Sequence, residues 1–164
     1  MKKSFMFTIL FFIFIFFVNA YAGSDLYDKF LIDIQEFETA EQSAQVERYK
    51  YSYAEYAVKD MIETNDMEGL KLMSQHYMWD VIRSIGFGGV PQIAAEAKNL
   101  EAFTFILSNK DYIKAVTTES YMYSELIDTQ NFLQQQLQKN NDKVYVEMKK
   151  LLDAFIKKYP LVKN

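Results

Sequence analysis

Between residues 24 and 160 apolar side chains return every three or four positions, the repeat of helices that bury one face. Leu26, Phe30, Ile34 and Phe37, with Leu31 beside them, predict a first helix that Ser24 caps, with Asp25 in its first turn. The polar stretch Thr39–Gln45 reads as a turn or a weakly packed continuation of that helix. A second helix is predicted from about Val46 to Glu63. Thr64-Asn65-Asp66 is a short connection into an apolar-periodic Met67–Met73. Ser84 to Pro91 holds three of the five glycines and predicts a loop. A short helix from Gln92 to Ala97 and another over Asn99–Leu107 follow, and Asn109-Lys110-Asp111 reads as the end of the second. In the last third, Thr117 or Thr118 is the expected cap of a long helix with a seam of Met122, Leu126, Leu133 and Leu137. Asn140-Asn141 breaks that helix, and Asn141 is the expected cap of a final one burying Val144, Met148, Leu151, Leu152, Phe155 and Ile156. Lys149, Lys150, Lys157 and Lys158 sit toward its negative end, and Pro160 stops it. These last two helices, within 117–160, should pack as an antiparallel hairpin.

The first 22 residues carry a different pattern. Lys2 and Lys3 precede fourteen residues, Phe5 to Val18, that are apolar apart from Thr8. Ala20-Tyr21-Ala22 follows, small at both positions a signal peptidase reads. This is the layout of a secretory signal peptide, with Ala20 and Ala22 as the cleavage determinants and Gly23 as the first mature residue. The run is short of the roughly 20 residues of a membrane span. An uncleaved anchor is the alternative. The chain has no cysteine, so a lipoprotein anchor is excluded. The expectation is a periplasmic or secreted protein without stable membrane insertion after cleavage, its mature part a single domain over 23–164.

Composition sharpens this picture in three ways. Without cysteine, an exported chain has to hold its fold by packing rather than by disulfides. The formal net charge is −4, and losing Lys2 and Lys3 takes it to about −6, which argues against nucleic acid or anionic lipid as a partner. Few Gly and Pro, with abundant Glu, Gln, Lys, Leu, Met and Ala, favour helix throughout. The richness in Phe, Ile, Tyr, Lys and Asn fits an AT-rich bacterial genome.

Self-comparison reveals an ungapped match at an offset of 33 residues. Met61–Met73 aligns with Ala94–Ile106: Glu63 falls on Glu96, Met67 on Leu100, Glu68 on Glu101, Leu70 on Phe103 and Leu72 on Phe105. Over about residues 55–115 this resembles the ankyrin repeat family, whose unit has that length. Ile93–Glu101 looks like the end of the family's first helix, its tight turn and the start of the second. Ala102–Asn109 looks like the second helix and its end. The pair Ala94-Ala95 suits a close helix–helix approach. The family's Thr-Pro-Leu-His start is absent, with Val90-Pro91-Gln92-Ile93 in its place. Asn65 and Lys98 stand at the turn position usually held by glycine, Tyr77 and Lys110 replace the closing glycine, and no third unit follows Asn109. The resemblance implies an all-α fold of helical hairpins stacked as a short ankyrin-like solenoid with flanking capping helices. It also implies a protein-binding role, with Trp79 to Val90 as the projecting loop.

Catalytic chemistry finds little to work with. The lone histidine, His76, falls at a helix end, leaving no His-x₃-His metal pair and no framed triad. Gly86-Phe87-Gly88-Gly89 lacks the Lys-Ser/Thr of a phosphate loop. Glu125 and Asp128 read as solubilising surface charge. The expectation is therefore a non-enzyme with no cofactor and no metal, whose partner is another protein. A structural subunit of an envelope complex, or a small helical enzyme or inhibitor of the envelope, are the alternatives. Candidate binding residues are Arg83 and Phe87 in the projecting loop, types enriched at interface centres. Phe87 folded back over the core is the competing reading. Tyr49, Tyr53 and Tyr56, one line on the second helix, are either a recognition stripe or rings packed inside with their hydroxyls toward water.

Overall fold

The computed structural model describes residues 24–40, 45–76 and 89–161. These form eight helices and no strand: α1 (Asp25–Ala40), α2 (Gln45–Thr64), α3 (Met67–His76), α4 (Gly89–Glu96), α5 (Leu100–Ser108), α6 (Lys110–Thr118), α7 (Ser120–Lys139) and α8 (Lys143–Lys158). Ser24 caps α1 by accepting the Tyr27 N–H at 3.0 Å. The signal-like residues 1–22, Ala20 and Ala22 among them, lie outside the described residues, as do Arg83 and Phe87.

Two turns 33 residues apart are built identically. Asn65 and Lys98 both take left-handed backbone, with φ of 58° and 55°. Asn65 N–H donates to Ile62 O (3.3 Å) and Asp66 N–H to Met61 O (2.8 Å). One unit later, Lys98 N–H donates to Ala95 O (3.1 Å) and Asn99 N–H to Ala94 O (2.9 Å). Paired bonds around a left-handed residue satisfy the last carbonyls of a helix. The next residue then starts the following helix: Asp66 Oδ1 accepts Gly69 N–H at 2.9 Å, and Asn99 Oδ1 accepts Ala102 N–H at 2.9 Å.

The repeat extends to burial. Met61, Ile62, Gly69, Leu70, Met73 and Ser74 are buried, and so are Ala94, Ala95, Ala102, Phe103, Ile106 and Leu107 at the matching positions. Packing follows the same logic. Hairpin α2–α3 lies on hairpin α4–α5, α2 against α4 and α3 against α5. Hairpin α7–α8 lies on the other side, α7 against α4 and α8 against α5. Helix α1 covers α2 and α3, and α6 bridges α5 and α7. One core runs through all of it, with Phe30, Phe103 and Tyr112 among its largest fully buried side chains.

The structure departs from the sequence reading at several boundaries. Gly89-Val90-Pro91 is the first turn of α4 rather than loop. Proline costs nothing there, because first-turn N–H groups have no helical partner. Residues 110–118 form the additional helix α6. Asn109 closes α5 through its N–H to Ile106 O and opens α6 by accepting from the N–H groups of Asp111 and Tyr112. Thr117 and Thr118 do not cap α7; their hydroxyls fold back on carbonyls of α6. Glu119 stands at the start of α7 without a side-chain cap. Asp142, not Asn141, caps α8, accepting Val144 N–H at 2.9 Å. On α8, Tyr145 is buried with Met148, Leu152 and Phe155, while Val144, Leu151 and Ile156 are half-buried.

Candidate functional site

The edge formed by the turns is tied across the hairpins. Ser24 Oγ hydrogen-bonds Asp66 Oδ2, linking the start of α1 to the α2–α3 turn. Asn99 Nδ2 donates to Ile62 O (2.8 Å) and to Asn65 Oδ1 (2.9 Å), linking the two matching turns. Lys98 Nζ reaches Asp142 Oδ2 at 2.7 Å and lies 5.2 Å from the Tyr145 ring centroid, linking the second turn to the α7–α8 connection. The Lys98 bond, with the Val144 N–H after it, holds the Asp142 carboxyl below its ordinary range, and Asp142 in return raises the Lys98 ammonium. These groups hold the fold together by bonding one another.

Two apolar grooves lie along the row α3, α5 and α8. A shallow groove of about 590 Å³ between α3 and α5 is lined by Met67, Leu100 and Phe105, with Lys71 and Glu101 at its rim. A second groove of about 410 Å³ opens where α5, α6 and the end of α8 meet, over Leu107, Ile113, Leu151, Phe155 and Tyr159. Thr104 and Ser108 of α5 border both grooves, so the two make one strip. Lys158 Nζ stands 4.9 Å from the Tyr159 ring centroid, a cation–π contact, and makes no ion pair among the described residues. In the second groove an apolar floor with one ammonium at its edge suits a ligand that brings hydrocarbon and a carboxylate.

The sequence pattern does not show this strip, because its second groove joins residues of α5 and α6 to residues of α8, about forty positions later. The tyrosines that pattern singles out are on α2. Tyr53 is half-buried and Tyr56 is 67% exposed; both line a cleft of about 60 Å³ between α1 and α2, with Leu26, Phe30, Asp33 and Asp60. Tyr49 is on α2, with its side chain outside the described residues. The structure thus brings together two of the five candidate residues. His76 is the exposed last residue of α3.

Glu125 is a correction. Expected on the surface, it is only 9% exposed. Its position was legible: with Met122, Leu126, Thr129 and Leu133 it completes the buried face of α7 at spacings of three and four. Burial, and after it the charge of Asp128, push its carboxyl up to about 7. Burial, then the charge of Glu125, raises the Tyr112 phenol as well.

Among the described residues no group of three or more His, Asp or Glu side chains is arranged to hold a metal, and no helix is long and apolar enough to cross a membrane. Comparison with protein-family models, with curated proteins and with solved structures gives no match for this chain.

Proposed function

We propose that the chain is an exported, non-catalytic helical scaffold that binds another protein on the strip across α3, α5 and α8. The observation that carries this reading is the continuous apolar strip with Lys158 at one end. The 33-residue recurrence of turn, cap and burial supports a degenerate ankyrin-like pair of units within 55–115, with α1 and the α7–α8 hairpin as caps. Signal-like residues 1–22 support export to the periplasm or beyond the cell. The partner is a protein segment with apolar side chains next to a carboxylate, since Lys158 is the one cation lining the second groove.

A photo-crosslinking residue at exposed Thr104, introduced in the native host, tests this. A discrete adduct is expected at Thr104 and not at Tyr121, an exposed position on α7. Charge reversal by Lys158→Glu should reduce the adduct at least tenfold, the loss of about 1.4 kcal/mol that a partly desolvated ion pair can supply. Equal labelling at the two positions, or an adduct indifferent to Lys158→Glu, overturns the reading.

A further inference from the structure

The Glu125 carboxyl group occupies an interior position that surface binding does not use. Its Oε2 and the Tyr112 hydroxyl are buried without a hydrogen-bond partner among the described residues. Thr129, one turn on and fully buried, gives its hydroxyl to the Glu125 backbone carbonyl at 2.9 Å and so does not serve the carboxyl group. Opposite lies the first residue of α4. Gly89 has φ +63°, and a Cβ built there would stand 2.5 Å from Glu125 Oε2. Glycine, with no Cβ and a left-handed φ, lets the backbone of α4 close directly over this oxygen.

We propose that Glu125 is a proton-operated latch between α4 and α7. As a neutral acid it fills the space beneath Gly89 and beside Tyr112, and α4 seats on α7. As an anion it meets no cation among the described residues. Helix α7 itself offers Asp128, a like charge, and α6 offers the neutral phenol of Tyr112. At this contact α4 offers the backbone of Gly89. Helix α8 brings Lys149 and Asp153, which bind each other at 2.6 Å and meet α7 at Gln130 rather than at Glu125. A buried charge left unpaired is expelled or neutralised, so ionisation levers the start of α4 off α7. The device stands apart from the binding strip and holds whether or not that strip has a partner.

The sign follows from the direction of the shift. A carboxyl group raised to about 7 from 4.5 binds its proton more tightly in the closed fold than in the opened one. Its stabilising contribution is complete below the ordinary glutamate range and is lost as pH rises to about 7. The test is carried out on the purified protein. Carbon-detected NMR follows the Glu125 carboxyl, and amide hydrogen exchange, corrected for its intrinsic pH dependence, follows residues 90–95. Glu125 should titrate near 7, and protection of α4 should be about 30-fold lower at pH 8.5 than at pH 5.5, the ratio such a shift produces by linkage. Glu125→Gln, which mimics the neutral acid, should keep high protection at both pH values. Tyr112→Phe should retain the parent's pH dependence. Titration of Glu125 near 4.5, measured on the parent and so independent of any variant's folding, overturns the proposal. So does an unchanged pH dependence in Glu125→Gln.

Discussion

Hairpins α2–α3 and α4–α5 place the same backbone and the same burial at positions 33 residues apart while sharing few residues. Met61-Ile62 occupies the place of Ala94-Ala95, Gly69 that of Ala102, and Asn65-Asp66 that of Lys98-Asn99. What recurs is the environment: a left-handed residue closing one helix, a short polar side chain opening the next, and small or apolar residues at the same depths. What differs follows the neighbours. Helix α1 presses on the first hairpin, and Gly69 leaves room for Ser24. The second hairpin is enclosed between α2–α3 and α7–α8, and its eight-residue first helix buries alanines. A repeat of this kind is conserved in shape and free in chemistry, and exchanging side chains between matched positions tests how far the freedom goes.

The largest effect is expected at the matched pair Ile62 and Ala95. Ile62 is 1% exposed, and Ile62→Ala, which copies the residue of the second hairpin into the first, should cost about 2–5 kcal/mol by leaving a cavity. The reverse copy, Ala95→Ile, like Ala95→Leu, introduces bulk at a position that is fully buried and should cost about 1–3 kcal/mol by overpacking. Urea unfolding of each variant measures both. If either variant unfolds like the parent, the two positions are interchangeable, and the neighbours do not set their size.

The same contrast explains what could be read in advance. Helices with a simple apolar period, α1, α2, α5, α7 and α8, were legible, as were the two turns, because Asn65-Asp66 and Lys98-Asn99 interrupt the period locally. Helix α6 was hidden because Asn109 serves two helices at once, and a residue that ends one helix looks like a stop whether or not another begins there. Thr117 and Thr118 looked like caps, yet a threonine hydroxyl bonds equally well to a carbonyl three or four residues behind it. The chemical type of Glu125 points to surface charge, while its spacing from Met122 and Thr129 puts it on the buried face. The apolar strip was out of reach: Leu107, Ile113 and Phe155 meet only in three dimensions, and no local period records that.

A smaller effect is expected where the hairpins exchange Gly69 and Ala102. A Cβ at residue 69 would collide with Ser24 Oγ and stand 2.7 Å from Asp66 Oδ2. Gly69→Ala should therefore break the Ser24–Asp66 bond and disturb two caps, a loss of about 1–2 kcal/mol. Alanine's better helix propensity returns about 1 kcal/mol. The net destabilisation is about 1 kcal/mol or less. In a Ser24→Ala background the clash with Ser24 Oγ is gone and Asp66 Oδ2, released from its bond to Ser24, can shift aside, so Gly69→Ala should become neutral or stabilising. A double-mutant cycle by thermal melting decides; strict additivity would show that α1 does not set the residue at this position.

The smallest effect concerns the two left-handed residues. Asparagine tolerates this backbone better than lysine, so Lys98→Gly relieves more strain than Asn65→Gly. Each change also removes a link across the turns. Asn65→Gly takes away one acceptor of Asn99 Nδ2, which keeps Ile62 O. Lys98→Gly takes away the partner of Asp142, an exposed pair whose worth is small. That loss depends on pH. Asp142 is held below its ordinary range by Lys98 first, so the pair stabilises the fold above the range where an unfolded aspartate titrates, and its contribution is lost as pH falls through the lowered value. Lys98→Gly should accordingly raise the melting temperature more in acid, where the pair no longer counts, than at neutral pH. A fall in melting temperature at neutral pH would mean that the ion pair, not the backbone, governs the α4–α5 turn.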